Sequence, residues 1–264
     1  MALKSLKALA VLFLTLGFVS WAHAGVLDDI AQRGELRVAC QTQGPPFSFV
    51  NKKGERTGSS IEIVRIMAEE MGVKLVFLDF DWDGLIPALL SKKADILAAD
   101  MTPTLKRAMK IAFSEPFMYT GSVVFTKADS PIETIEDCRK PGMKIAVLLG
   151  STGETDAKKA FPQAELKSYK GGGPLLIDAV LKGHADFGVN DSSAVTGQAA
   201  NFPPDSVKIL PGMLSKQPLS FAVRYDSLDL LQWINLFFLH ISLDGRLDEN
   251  LNYWVNSLEW KKDH

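Results

Sequence analysis

Apolar and polar positions alternate along the chain with two periods, and the alternation restarts midway. Val26–Arg33 reads as a short lead-in helix. Glu35–Cys40 reads as a strand in which Leu36, Val38 and Cys40 alternate. Pro45 and Pro46 cannot continue a ladder, because proline has no N–H to donate. Apolar residues at 63, 66, 67 and 71 have helical spacing, and Gly72 follows as a stop. Residues 73–80 then read as a strand, 85–92 as a helix with Pro87 in its first turn, 96–99 as a buried strand and 105–111 as a short helix. A second run follows. It has strands at 144–149, 166–169 and 186–190, with helices opening at Gly150-Ser151-Thr152-Gly153 and over 175–181. Residues 219–223 look like a return strand. A long helix over 227–241, capped by Ser227, and a last one over 247–258 close the chain. Strand–helix alternation implies a mostly parallel sheet flanked by helices, and two such runs imply two α/β lobes.

The first 24 residues differ in kind. Lys4 and Lys7 precede an almost wholly apolar stretch over 8–19, and Ala22-His23-Ala24 is a small-x-small cleavage pattern. This is the layout of a secretory leader cleaved after Ala24. The apolar stretch is shorter than the roughly 20 residues a spanning helix needs, which argues against a membrane anchor. The expected division is therefore leader 1–24, lobe one 25–118, lobe two 119–221, and a return to lobe one over 222–264.

Charge narrows the partners. The 264 residues carry a net charge of -2, so no broad basic surface is available for nucleic acid. Cys40 and Cys138 are nearly a hundred residues apart in different expected lobes, and read as two free, buried thiols. No HExxH, no cysteine pair and no Ser/His/Asp triad stands out, so no metal, no cofactor and no catalytic residue is expected.

In open α/β sheets ligands bind beyond the carboxyl ends of the strands. Four such places carry suitable groups. Asp100, Thr102 and Thr104 follow the 96–99 strand, with Arg107 on the first helical turn after them, where a guanidinium can grip a carboxylate through two bonds. The alternative is a solvated Arg. Gly150-Ser151-Thr152-Gly153 presents free N–H groups at a helix start, or simply caps it. Asp191 can pair with an ammonium, or cap the helix at Ser192. Trp82 can stack on a ligand, or pack in the core.

Together these segments resemble a known family. The run Trp82-Asp83-Gly84-Leu85-Ile86-Pro87-Ala88-Leu89, then Lys93-Ala94-Asp95-Ile96, Met101-Thr102-Pro103-Thr104-Leu105-Lys106-Arg107 and Phe113-Ser114-Glu115-Pro116-Phe117 are similar to the signature of family 3 extracellular solute-binding proteins. So are Val147-Leu148-Leu149-Gly150-Ser151-Thr152, the stretch from Gly183 to Asp191, Asp244-Gly245-Arg246-Leu247 and Tyr253-Trp254. The resemblance implies the type II periplasmic-binding-protein fold: two lobes, each a mostly parallel sheet flanked by helices, joined by a two-strand hinge. It implies a monomeric periplasmic receptor that closes on an amino acid and delivers it to the membrane permease of an ABC importer. It places the ligand carboxylate on Arg107, helped by Thr102, Ser151 and Thr152, the ammonium on Asp191, and the ligand side chain against Trp82. Gln41 stands where relatives that take cationic side chains often have an acid.

The chain also departs from that pattern. Gly44 replaces a common aromatic ring, Ser60 an acid, and Asp100 a small residue. Asp100 and Gln41 together suggest a donor-rich or cationic ligand side chain. Two other readings are a cyclohexadienyl dehydratase-like enzyme, with Asp100 or Glu154 as the acid, and a sensing module for a membrane signalling partner.

Overall fold

A computed structural model describes residues 25–263; the expected leader lies outside them. Helix α1 (Val26–Arg33) carries Asp28 and Asp29 in its first turn and Arg33 in its last, an arrangement that suits the helix dipole. Strand β1 (Glu35–Cys40) follows, then a small antiparallel sheet of β2 (Gln43–Gly44), β3 (Ser48–Val50) and β4 (Arg56–Thr57) that the sequence pattern does not predict. Helix α2 (Ser59–Met71) ends at Gly72, which sits at φ 66° with its N–H on the carbonyls of Ala68 and Glu69. Next come β5 (Lys74–Asp79), α3 (Leu85–Leu90), β6 (Ile96–Met101), α4 (Leu105–Ala108) and β7 (Ala112–Phe113).

Strand β8 (Met118–Lys127) is ten residues long and was not expected. The second half holds β9 (Lys144–Leu148), α5 (Thr152–Ala160), β10 (Glu165–Tyr169), α6 (Pro174–Leu181), β11 (Phe187–Asp191), α7 (Ser192–Gln198) and β12 (Val207–Ile209). Strand β13 (Ser215–Val223) leads back to α8 (Leu228–Leu243), α9 (Arg246–Leu251), a π-helical turn over Asn252–Asn256 and α10 (Trp260–Asp263). The expected cap Ser227 makes no side-chain bond to the N–H groups of α8; its hydroxyl donates to Asp226 at 3.0 Å instead.

The strand order is β10-β9-β11-β8-β13-β6-β1-β5. Within it β5, β1 and β6 run parallel in one lobe, and β10, β9 and β11 in the other. The antiparallel pair β8 and β13 joins them from Met118 opposite Leu219 to Ser122 opposite Ser215. Beyond that segment β8 pairs with β11, and β13 with β6 and β7. This is the type II architecture with its two-strand hinge.

Helices cover both faces of each half-sheet, so neighbouring residues on a strand enter different cores. Ile96 and Ala98 of β6 join Leu36, Val38 and Phe221 on one side, while Leu97 and Ala99 join Leu85, Leu89 and Ala222 on the other. In the second lobe Ile145, Val147, Phe187 and Val189 pack on one face, and Ala146, Leu148, Val123 and Phe125 on the opposite one. Strands of this kind read as continuous apolar runs. Cys40 and Cys138 are free and buried, and burial pushes the two thiols up to about 11 and about 12.

Candidate functional site: a closed cleft between the lobes

The carboxyl ends of β1, β6, β9 and β11 converge where the two lobes face each other. They enclose a cavity of about 20 Å³ whose walls include Gln41, Trp82, Asp100, Ser151, Thr152 and Asp191. Six of the eight expected ligand residues therefore share one small space, large enough for about one water. Trp82, Ser151 and Thr152 also face an outer groove of about 470 Å³, which Arg107 lines. The lobes are closed on each other, and a solute of amino-acid size enters only when they part.

Arg107 sits on α4, whose cap Thr104 accepts the Arg107 backbone N–H at 3.2 Å. Its guanidinium donates to the Thr102 carbonyl at 2.7 Å and, across the seam, to the Gly150 carbonyl at 3.0 Å. It lies over the Trp82 ring, 5.4 Å from the centroid. Burial lowers its pKa to about 10, against the opposing pull of Asp191 and Asp100, so it remains a cation at neutral pH.

The two carboxylates face a different situation. Asp191 occupies the cap position of α7 but makes no capping bond, and its Oδ1 is sealed from solvent with no hydrogen-bond partner. Burial pushes its carboxyl up to about 6, although Arg107 pulls it down. Asp100 lies inside β6, beyond the expected strand end at Ala99, with φ 42°, and its Oδ1 is also sealed and unpartnered. Burial, reinforced by Asp191, raises its carboxyl well above the usual range, and Arg107 offsets this only in part. An unpaired polar atom sealed in a protein is costly, and a non-glycine residue at positive φ adds strain. Both costs fall on the same cavity.

The hydroxyls are already engaged. Ser151 caps α5 by accepting the Glu154 N–H at 3.1 Å. Thr102 and Thr152 both donate to Oε1 of Gln217, at 2.8 and 2.7 Å, and Gln217 Nε2 donates to Asp156 at 3.0 Å. Gln217 of β13 thus ties the two lobes together at the hinge, and the sequence pattern did not single it out. Glu154 points elsewhere. Burial would raise its carboxyl, but bonds from Lys158, the Gly150 N–H and Ser168 outweigh this and hold it below its ordinary value.

The seam itself is built on small residues. A Cβ on Gly197 of α7 would lie 2.4 Å from Pro46 Cδ and 2.7 Å from Pro46 N. One on Gly172 would lie 2.7 Å from Gln43 Cβ. Beside these contacts the Trp82 N–H bonds to the Gly171 carbonyl at 3.3 Å. Chemically, the cleft offers one cation in one lobe, one unpartnered carboxylate in each lobe, and no nucleophile paired with a base. Among the described residues no group of three His, Cys, Asp or Glu side chains could hold a metal, and no helix is long and apolar enough to cross a membrane.

Residues 36–257 match the family described as bacterial extracellular solute-binding proteins, family 3. A Haemophilus influenzae protein named "Probable amino-acid ABC transporter-binding protein" is 29% identical over 259 residues, covering 97% of this chain and 96% of that one. Among solved structures, the ancestral amino-acid-binding protein AncCDT-1, a precursor of cyclohexadienyl dehydratase, is similar with a TM-score of 0.80 at 36% identity, over 88% of this chain and 100% of its own. A binding component of an ABC transporter from Wolinella succinogenes, complexed with lysine, gives a TM-score of 0.80 at 32% identity, over 87% and 99% of the two chains.

Proposed function

Because the chain belongs to the bacterial extracellular solute-binding proteins, family 3, we propose that it is a periplasmic receptor that captures an amino acid between its lobes and hands it to the permease of an ABC importer. The observation that carries this reading is the Asp191 carboxylate, buried, uncapped and unpartnered, across the seam from the Arg107 guanidinium. A zwitterion satisfies both at once: its carboxylate displaces the carbonyls on Arg107, and its ammonium meets Asp191. The backbone at the start of α5 and the hydroxyls of Thr102, Ser151 and Thr152 lie beside the carboxylate, and Trp82 walls the side chain. Arg107 and Asp191 belong to different lobes, so the ligand binds the closed form better and shifts the population toward it.

In this reading the moving bodies are residues 25–118 with 222–264, and residues 119–221. The protein works as a monomer, reaching the periplasm through a leader cleaved after Ala24. Relatives named for amino-acid transport and a neighbour holding lysine support the ligand class.

The test is a thermal-shift screen against amino acids. A ligand at about 100 times its dissociation constant adds about 2.7 kcal/mol. Arg107→Ala and Asp191→Ala should each remove that shift and leave the ligand-free protein folded. An undiminished shift in either variant overturns the clamp. The dehydratase reading keeps one supporting observation, the raised Asp100 carboxyl, whereas Glu154 is held as an anion. Aromatic product formed from prephenate or arogenate would favour it.

A further inference from the structure

The zwitterion clamp leaves one group unused. Arg107 and Asp191 balance the two charges of an amino acid, but Asp100 faces the same cavity with nothing to balance it. The charged side chains acting on Asp100 are Asp191, from the end of β11, and Arg107, from α4; Asp156 acts in turn on Asp191. Arg107 spends its hydrogen bonds on the Thr102 and Gly150 carbonyls, not on Asp100. With a neutral amino acid in place, the cluster of Arg107, Asp100 and Asp191 holds one negative charge in excess, with one carboxylate oxygen of each aspartate sealed from water. The cavity walls also include Gln41, an amide that brings no charge, and Gly44, which has no side chain. The backbone of Asp100 is held at φ 42°, in the left-handed region that aspartate tolerates better than most residues.

We infer that Asp100 is the specificity-determining residue of the cleft: its carboxylate takes a second cationic group at the far end of the ligand, so that amino acids of net charge +1 are selected over neutral and acidic ones. This rests on the amino-acid reading above and narrows it. A ligand ammonium or guanidinium gives the sealed Oδ1 its missing partner and brings the excess charge to zero. A neutral ligand closes the cleft only with Asp100 protonated. An acidic one adds a further carboxylate beside two already present.

Arginine and citrulline are suitable probes, since they share a shape and differ in charge, and the guanidinium keeps its proton at any working pH. Calorimetry on the mature protein should show arginine bound more tightly than citrulline. Asp100→Asn should cut arginine affinity by roughly 10- to 100-fold, the value of a charge-assisted hydrogen bond, and leave citrulline within a few-fold. Asn and Gly both accept positive φ, so Asp100→Gly serves as a second variant with the same expected loss. The arginine-to-citrulline ratio should rise as pH rises above the ordinary carboxylate range in the wild type, because the Asp100 carboxyl is raised well above it, and stay flat in Asp100→Asn. Taking the ratio cancels Asp191, which meets the same ammonium in both ligands. An unchanged ratio in both variants, or equal wild-type affinities, overturns the role of Asp100 and leaves the receptor reading standing. Failure to bind any amino acid overturns both.

Discussion

Replacing Gly197 by alanine should weaken ligand binding without touching a ligand group. The new Cβ would lie 2.4 Å from Pro46 Cδ, 2.7 Å from Pro46 N and 2.9 Å from Pro45 C, where ordinary contact begins at 3.4 Å. Two of these atoms are backbone and cannot swing aside. Helix α7 and the Pro45–Pro46 segment must therefore part by about 1 Å, and they sit on opposite lobes. A separation of that size takes the bond from the Trp82 backbone N–H to the Gly171 carbonyl, 3.3 Å at closure, past hydrogen-bonding distance. That bond is worth about 0.5–1.5 kcal/mol net, so affinity falls about 2- to 12-fold. The ligand-free protein should not suffer. The open lobes leave room for the methyl, and alanine is favoured over glycine inside a helix by about 1 kcal/mol. Calorimetry should thus show weaker binding while the unliganded melting temperature holds or rises. Gly153→Ala provides the contrast: its Cβ would meet the Val189 carbonyl at 2.8 Å within one lobe, so the melting temperature itself should drop. Gly197→Ala binding within twofold of wild type would refute the seam argument.

Two further expectations concern closure and the hinge. Burial in the closed cleft lifts the Asp191 carboxyl from its ordinary 3.8 to about 6, and opening the cleft to water should return it. The extra stability of the unliganded closed form is therefore fully present below 3.8 and is lost as pH rises through about 6, a swing of about 3 kcal/mol. Small-angle scattering of the ligand-free protein should show a smaller radius of gyration at pH 4.5 than at pH 7; a constant or larger radius at low pH refutes this. Gln217→Ala removes the acceptor shared by Thr102 and Thr152 and one donor to Asp156. It should lower stability by about 1–3 kcal/mol, seen as a shift in urea midpoint at constant slope, and an unmoved midpoint speaks against Gln217 as the tie.

Most of the cleft was readable from the sequence because ligand groups follow strand ends, and strand ends are marked by a change from apolar to polar residues. Trp82, Asp100, Ser151, Thr152 and Asp191 gather for that reason, and Gln41, which only the family resemblance singles out, joins them. The misses have a common origin in strands covered on both faces. In β8 Val123 and Phe125 enter one core and Val124 another, with buried Thr120, Ser122 and Thr126 among them, so no period-two pattern survives. Pro218 reads as a strand stop, yet it lies within β13 opposite Tyr119, which hid the buried Gln217 just before it. The apolar run that marks this strand stops at Ala99, whereas β6 runs on through Asp100, a residue type rare in strands, to Met101. Whether Asp191 caps α7 or faces the cleft could not be decided from residue types, since both need a carboxylate at the same spot; the absent capping bond decides it.

The hinge strands also set an order of assembly. Strand β13 and helix α8 supply Leu219, Phe221, Val223, Ile234, Phe237 and Phe238 to the core that Leu36 and Val38 open. Trp254, farther on, is fully buried and donates to Glu62 of α2 at 2.7 Å. The two cores of the other lobe draw all their buried residues from the stretch between Val123 and Leu210. The lobe that begins first is therefore finished last, after the inserted one has all its pieces. A nascent chain holds an incomplete, binding-incompetent first lobe until its carboxyl-terminal end arrives.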